Sequence, residues 1–253
     1  MFQLRFTTLV EAPLTVAFDV GRTLGRPWGA PLEEIVSLRP ERDVHAVGPG
    51  SGWRWLTHSR RFTATATGTL VEEQVDWETG LPGVLGGVAD RLLLRRRIVR
   101  AMQAHLDAYA VAAARRAVDV VQVVGAAVVE GRRVLVAQRS GGPYDGLWEF
   151  PGGKVEPGES DLSALVRECR EELGVEVLPQ AFLGEVLLDG SVAGGVPGTS
   201  TLRVWWARLA GGAPVAHEHA QLRWVDVDDL AGLDWIEADR PLLAAVRDLL
   251  HRL

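Results

Sequence analysis

A chain of 253 residues with 47% apolar content can bury one large core or two ordinary ones, and its length favours two. The single cysteine, Cys169, excludes an internal disulfide. With no leader-like segment and no run of about 18 apolar residues, the expected setting is a reducing cytoplasm, away from membranes. The net charge of −6 is unevenly spread: residues 1–118 carry 15 Arg against 12 Asp and Glu, the remainder 12 Lys and Arg against 21. An acidic second half argues against a duplex nucleic-acid surface and suits a site that gathers divalent cations.

Phe2, Leu4 and Phe6 alternate with Gln3 and Arg5, the period of a half-buried strand, and a short apolar segment follows Pro13 around Val16 to Val20. Glycines and prolines break residues 21–52. RFTATATGTLVEEQVDW, residues 61–77, is rich in Thr and Val and predicts a hairpin turning near Gly68. Beyond Gly87 the period changes. Leu94, Ile98, Met102, Leu106, Tyr109 and Ala113 recur every three or four residues, predicting one long helix that ends near Arg116. The arginines between Arg91 and Arg100 are the wet face of that helix rather than a nucleic-acid surface.

A second β-branched pattern opens at VDVVQVVGAAVV and turns at Glu130-Gly131, so the domain boundary is placed near residues 115–120. Apolar runs at Glu185–Leu188 and Leu202–Leu209 flank the glycine-rich stretch 190–198. LRWVDV, residues 222–227, is a further strand, and PLLAAVRDLL closes the chain as a helix with Pro241 in its first turn.

The chemistry concentrates in WEFPGGKVEPGESDLSALVRECREELGV, which also holds Lys154, the only lysine of the chain. Ser160 is a plausible N-cap, and Leu162, Leu165, Val166, Cys169 and Leu173 mark an apolar stripe. Glu168, Glu171 and Glu172 then share another face of the same helix, flanked by Arg167 and Arg170, and Gly174 ends it. Like charges at this spacing repel. They form either a solvated acidic face or a site for a hard dication, which takes carboxylate and carbonyl oxygens and keeps waters and phosphates in its shell.

Gly153, Glu159 and the run Arg167–Val175 are similar, at every fixed position, to the signature of the Nudix (MutT-like) hydrolases; Cys169 stands where that family prefers Ile, Leu or Val. The resemblance covers roughly residues 119–253. LWEFPGGK, HEHAQLRWVDVDDL and DWIEADRPLL resemble the branch that cleaves nucleoside triphosphates to monophosphate and pyrophosphate. It implies an α/β/α sandwich with a mixed sheet, and Mg²⁺, with Mn²⁺ as alternative, held by the Gly152 carbonyl, Glu168, Glu171, Glu172 and Glu218. Glu168 also matches the position of a general base, Arg167 would orient the glutamates, Arg139 and Lys154 would meet phosphate, and Phe150 and Asp239 would line the base pocket. Asp239 is alternatively a cap of the closing helix. An oxidised guanine or a cytosine nucleotide fits an Asp there, which gives a nucleotide-pool-cleaning enzyme with a bearing on DNA repair.

VEAPLTVAFDV, GTLVEEQVDWE and LPGVLGGVADRLLLRRRIVRAMQAHLDAYA look like the START-like (SRPBCC, polyketide cyclase) group, whose helix-grip fold wraps an antiparallel sheet around a long helix. The whole is then an α+β chain of two domains, 1–117 and 118–253. The first is short for its group, and it either binds a small apolar ligand or packs against the enzyme. Trp28, Trp53, Trp55 and Trp77 would line a pocket or fill a core. Two other readings stay open: hydrolysis of another nucleoside diphosphate derivative such as ADP-ribose, and a ligand-sensing module without turnover. Monomer and homodimer are equally compatible with the sequence.

Overall fold

The computed structural model describes residues 2–29, 31–47, 53–79, 94–188 and 200–253. The period change after Gly87, the arginine Arg91 and the glycine-rich stretch 190–198 lie outside them. The chain divides into two compact units, Met1–Val118 and Asp119–Leu253. Among the described residues no helix is long and apolar enough to cross a membrane.

In the first unit, β1 (Phe2–Val10) alternates as expected and pairs antiparallel with β5 (Gly68–Thr79). Helix α1 (Leu14–Leu24) follows Pro13 and buries Leu14, Ala17 and Phe18. The stretch that the sequence leaves as broken holds two strands, β2 (Leu32–Leu38) and β3 (Arg42–Val47). Neither shows an apolar alternation, for separate reasons. β2 is a sheet edge and mostly exposed, whereas β3 buries Asp43 at an inward position. Strand β4 (Trp53–Thr65) turns into β5 at Gly68, where a Cβ would fall 2.2 Å from the Val10 carbonyl oxygen. The sheet order is β1-β5-β4-β3-β2, all antiparallel. Helix α2 (Arg95–Ala117) buries the predicted stripe of Ile98, Met102, Leu106, Tyr109 and Ala113, three of which pack with Leu56, Val75 and Trp77.

The second unit is an α+β layer structure on a mixed sheet of order β11-β7-β6-β10-β9, from β6 (Val121–Glu130), β7 (Arg133–Gln138), β9 (Glu176–Leu188), β10 (Ser200–Gly211) and β11 (Gln221–Asp226). The short β8 (Trp148–Glu149) pairs with β7, and β6 and β10 run parallel. Helix α3 (Asp161–Leu173) covers one face, burying Ala164, Leu165, Cys169 and Leu173 against Val124, Ala126, Leu135 and Trp205. Helix α4 (Leu243–Arg252), entered through a 3-10 turn over Arg240–Leu242, covers the other with Val246, Leu249 and Leu250. Strand β10 serves both layers because its side chains alternate: Leu202 and Val204 face α4, Trp205 and Ala207 face α3. One inward position of β10 is a cation. Arg203 is buried, lies against the rings of Phe182 and Trp205, and pairs with Asp161, the first residue of α3, and with Glu185. That pairing fastens the start of α3 to the sheet.

Candidate active site

Helix α3 is bounded as its sequence dictates. The Ser160 hydroxyl accepts from the Ser163 N–H at 3.2 Å, and Gly174 closes the helix in the left-handed region at φ 66°. This sets Glu168, Glu171 and Glu172 along one side, opposite the turn that runs from Pro151 to Lys154. The carbonyls of Pro151 and Gly153 accept from Ala126 and Val124 on β6. The Gly152 carbonyl between them accepts no hydrogen bond among the described residues.

Both glycines are required, for different reasons. A Cβ on Gly152, at φ 152°, would meet the Val124 carbonyl oxygen at 2.1 Å; one on Gly153 would sit 2.4 Å from Glu168 Oε1. The turn therefore lies directly on the Glu168 carboxylate. Glu172 is drawn in by the Gly152 N–H, which donates to its Oε2 at 3.0 Å. Burial, reinforced by the charge of Glu168, pushes the Glu172 carboxyl up to about 7. Glu171 is more than half exposed.

Arg167 organises this row. Its Nε and one terminal nitrogen form a fork on Glu159 at 3.1 and 2.9 Å, and the other nitrogen reaches Glu168 at 2.8 Å and Glu171 at 3.1 Å. It also donates to the Lys154 carbonyl at 3.0 Å. These pairings, led by Glu159, raise the guanidinium further above its ordinary value. Glu159 is thus engaged, and the exposed Lys154 ammonium has no carboxylate partner among the described residues.

Other candidate residues are placed less simply. Arg139 pairs with Glu149 at 3.0 Å. Glu218 is exposed and makes no hydrogen bond or ion pair among the described residues. Its neighbour His219 is the inward one: the chain from Val215 runs beside the end of α3, through His217 N–H to the Glu172 carbonyl, and brings the His219 imidazole within 3.3 Å of Glu149. Burial would lower that imidazole, but the Glu149 hydrogen bond and the Glu172 charge outweigh it and raise it. Phe150 is buried against Trp235, ring centres 5.0 Å apart, and its N–H donates to Asp239 at 3.2 Å. Asp239 makes no capping hydrogen bond, and burial pushes its carboxyl up to about 8.

Sequence reasoning passed over Glu149 and His219 as members of this group, and named Glu159 only as a fixed position of the signature. Glu149 had a signal: it lies between Trp148 and Phe150, both turned into the α4-side core, so period two sends it to the carboxylate side.

The donor set fits a hard dication. Carboxylates are gathered with fewer cations than charges, Glu172 is partly withdrawn from water, and the Gly152 carbonyl of the adjoining turn accepts no hydrogen bond among the described residues. No group of three or more His, Cys, Asp or Glu among the described residues is close enough to enclose an ion alone. Carbonyl, phosphate and water oxygens would complete any sphere.

An arginine-clamped row of carboxylates thus faces a glycine turn, with an exposed lysine beside it that has no carboxylate partner among the described residues. The NUDIX domain family matches residues 114–246, more than half of the chain, and the chain belongs to that family. It is 46% identical over 123 residues to the "Putative 8-oxo-dGTP diphosphatase 2" of Mycobacterium tuberculosis, which covers 48% of this chain and 84% of the relative. To the CTP pyrophosphohydrolase of Escherichia coli it is 40% identical over 128 residues, covering 49% and 90%. The crystal structure of a MutT NUDIX hydrolase from Burkholderia pseudomallei is 32% identical, covers 50% of this chain and 97% of that one, and has a TM-score of 0.45.

Proposed function

We propose that the second unit hydrolyses nucleoside triphosphates to monophosphate and pyrophosphate, as a cytoplasmic enzyme that clears unwanted nucleotides from the pool. The observation that carries this reading is the Arg167 clamp, which holds Glu159, Glu168 and Glu171 together against the turn that presents Lys154. The names borne by the two relatives, one for an oxidised guanine nucleotide and one for a cytosine nucleotide, supply the substrate class.

In this reading Glu168, Glu171, Glu172, Glu218 and the Gly152 carbonyl hold Mg²⁺. The ion, when bound, neutralises the polyphosphate and acidifies water. Glu168 takes the proton of the attacking water. Arg167 touches no substrate and keeps the carboxylates in register. Lys154 offers a compact charge to a phosphate oxygen, and Arg139 joins it on leaving Glu149. Phe150 stacks on the base. Asp239, protonated at neutral pH by its burial, reads the base edge while Phe150 N–H occupies its other oxygen. The first unit is read as a shortened helix-grip domain, a view supported by the place of β1 beside β5 and by the long helix α2 on the sheet.

The test is pyrophosphate release with Mg²⁺ across 8-oxo-dGTP, dGTP, dCTP, 5-methyl-dCTP and ADP-ribose. Glu171→Gln changes a half-exposed side chain and should leave the fold intact while abolishing turnover. A Glu171→Gln protein as active as the parent would remove that residue from the site. Cleavage of ADP-ribose with the triphosphates untouched would move the substrate to another nucleoside diphosphate derivative.

A further inference from the structure

The face of the first sheet that turns away from α2 carries an arrangement of charge of its own. Helix α2 packs on Leu56 and Val75, so alternation along β4 and β5 sends Ser59, Arg61, Glu72 and Gln74 to the opposite face. The strand registers line that face up in two rows, from β1 through β5 and β4 to β3. One row runs Arg5, Gln74, Ser59, Val44, and the next Thr7, Glu72, Arg61, Arg42. Arg42 and Arg61 therefore stand directly opposite each other, a like-charge pairing that costs stability in a sheet. Glu72 is directly opposite Arg61 on its other side and is exposed. Even so, the side chains of Arg42, Arg61 and Glu72 make no hydrogen bond or ion pair among the described residues.

Other exposed arginines of this unit find carboxylates: Arg22 pairs with Glu34, Arg39 with Asp19 and Arg54 with Glu78. Beside the two rows the carboxylate of Asp76 is buried and taken up by amides, with Gln3 and Gln74 each donating to it at 2.8 Å. Gln74 Oε1 in turn accepts from Arg5 Nε at 3.1 Å. That bond ties Arg5 to the sheet through Nε and leaves its two terminal nitrogens without partners among the described residues. Two strand spacings and two residues along separate Arg5 from Arg61, roughly 12 Å between Cα atoms, within the joint reach of two arginine side chains. Between them lies a cavity of about 320 Å³ lined by Arg5, Arg42, Ser59, Arg61, Glu72 and Gln74, the size of a small-molecule site. Neither row contains an aromatic residue, so the face offers no platform for stacking a base.

We propose that this outer face is an oxyanion site for a small diphosphate-bearing molecule, which Arg42 and Arg61 grip at one phosphate and Arg5 at the other, without a metal. An anion between Arg42 and Arg61 cancels their repulsion, and each guanidinium presents a fork that fits phosphate oxygens. The Ser59 hydroxyl, between the two ends, adds a donor. Three arginines against one glutamate leave the cavity positive, and Glu72 opposes the same ligand and holds its affinity down. The site is independent of the triphosphate chemistry of the second unit and uses none of its residues.

The experiment is calorimetric titration of the full chain with inorganic pyrophosphate, at low ionic strength and in buffer freed of divalent cations, which withholds the metal that the second unit's chemistry needs. Binding should saturate at one pyrophosphate per chain. Arg42→Gln and Arg61→Gln change exposed side chains that have no partners among the described residues, so both variants should melt near the parent temperature. Each should weaken pyrophosphate by about tenfold, the loss of one charge-assisted contact. Glu72→Gln removes the opposing charge and should tighten it by about threefold. A site in the second unit would respond to none of the three substitutions. Titration without saturation, an Arg42→Gln or Arg61→Gln protein with the parent's affinity, or a Glu72→Gln protein that binds no more tightly than the parent would each overturn the proposal.

Discussion

Replacing the two adjacent glycines of the turn one at a time should separate catalysis from folding. At Gly153 the added Cβ would lie 2.4 Å from Oε1, 2.5 Å from Cδ and 2.7 Å from Oε2 of Glu168, and no backbone atom is among these nearest neighbours. Restoring ordinary contact requires the carboxylate to retreat by about 1 Å, which a flexible side chain does without disturbing the sheet. A displacement of that size in a catalytic group costs about 10²-fold in rate. At Gly152 the added Cβ would instead lie 2.1 Å from the Val124 carbonyl oxygen and about 3.0 Å from Gly125 Cα, both backbone of β6, at a φ of 152°. Nothing there can retreat without breaking the pairing of Val124 with Gly153, so the expected loss is about 3 kcal/mol or more of stability. The assay is pyrophosphate release at saturating Mg²⁺, run beside thermal unfolding. Gly153→Ala should lose about two orders of magnitude in kcat with a melting temperature near the parent's, and Gly152→Ala should melt many degrees lower. A Gly153→Ala enzyme within about threefold of the parent would refute the claim that this glycine exists to admit the Glu168 carboxylate.

Arg167→Lys keeps the charge but cannot serve Glu159, Glu168, Glu171 and the Lys154 carbonyl at once; kcat should fall about 10²-fold with KM within about threefold, measured by steady-state kinetics. A change confined to KM would instead place Arg167 on the substrate. For Asp239 the sign follows from its raised pKa. Between the unfolded value near 4 and the folded value of about 8 the native state holds a proton that the unfolded state releases, so stability falls as pH rises through that window. Its share is at most about 1.4 kcal/mol per pH unit. Asp239→Asn cannot ionise, so urea unfolding at pH 5 and pH 8 should show the variant gaining on the parent at the higher pH, and a difference that stays constant would count against the buried acid.

The local rules that make the second unit legible are the ones its site obeys. Ser160 and Gly174 bound α3, the stripe Leu165, Cys169 and Leu173 orients it, and the carboxylates follow from that orientation. What escaped the sequence is what depends on partners distant in the chain. The pairing of Arg139 with Glu149 spans 10 positions across the β7–β8 pairing, and that of Glu149 with His219 spans 70, through the segment beside α3. Two adjacent residues, Glu218 and His219, divide between solvent and interior, and no local pattern says which goes where.

The same reasoning explains why strand β3 was unreadable, whereas β2 is an exposed edge. An inward row made of Asp43 and His45 on β3, with His58, Arg60 and Glu73 beside them on β4 and β5, inverts the rule that inward means apolar, so a period-two reading of β3 finds polar residues at the positions it expects to be core. Arg203 has the same effect on β10 at one position only, where Asp161 and two aromatic rings compensate it, and the strand remains legible. A single buried charge is absorbed by its neighbours. A row of them, spread over three strands and left with unpartnered atoms at Arg26 and Asp43, departs from local consistency, and a period-two reading fails there.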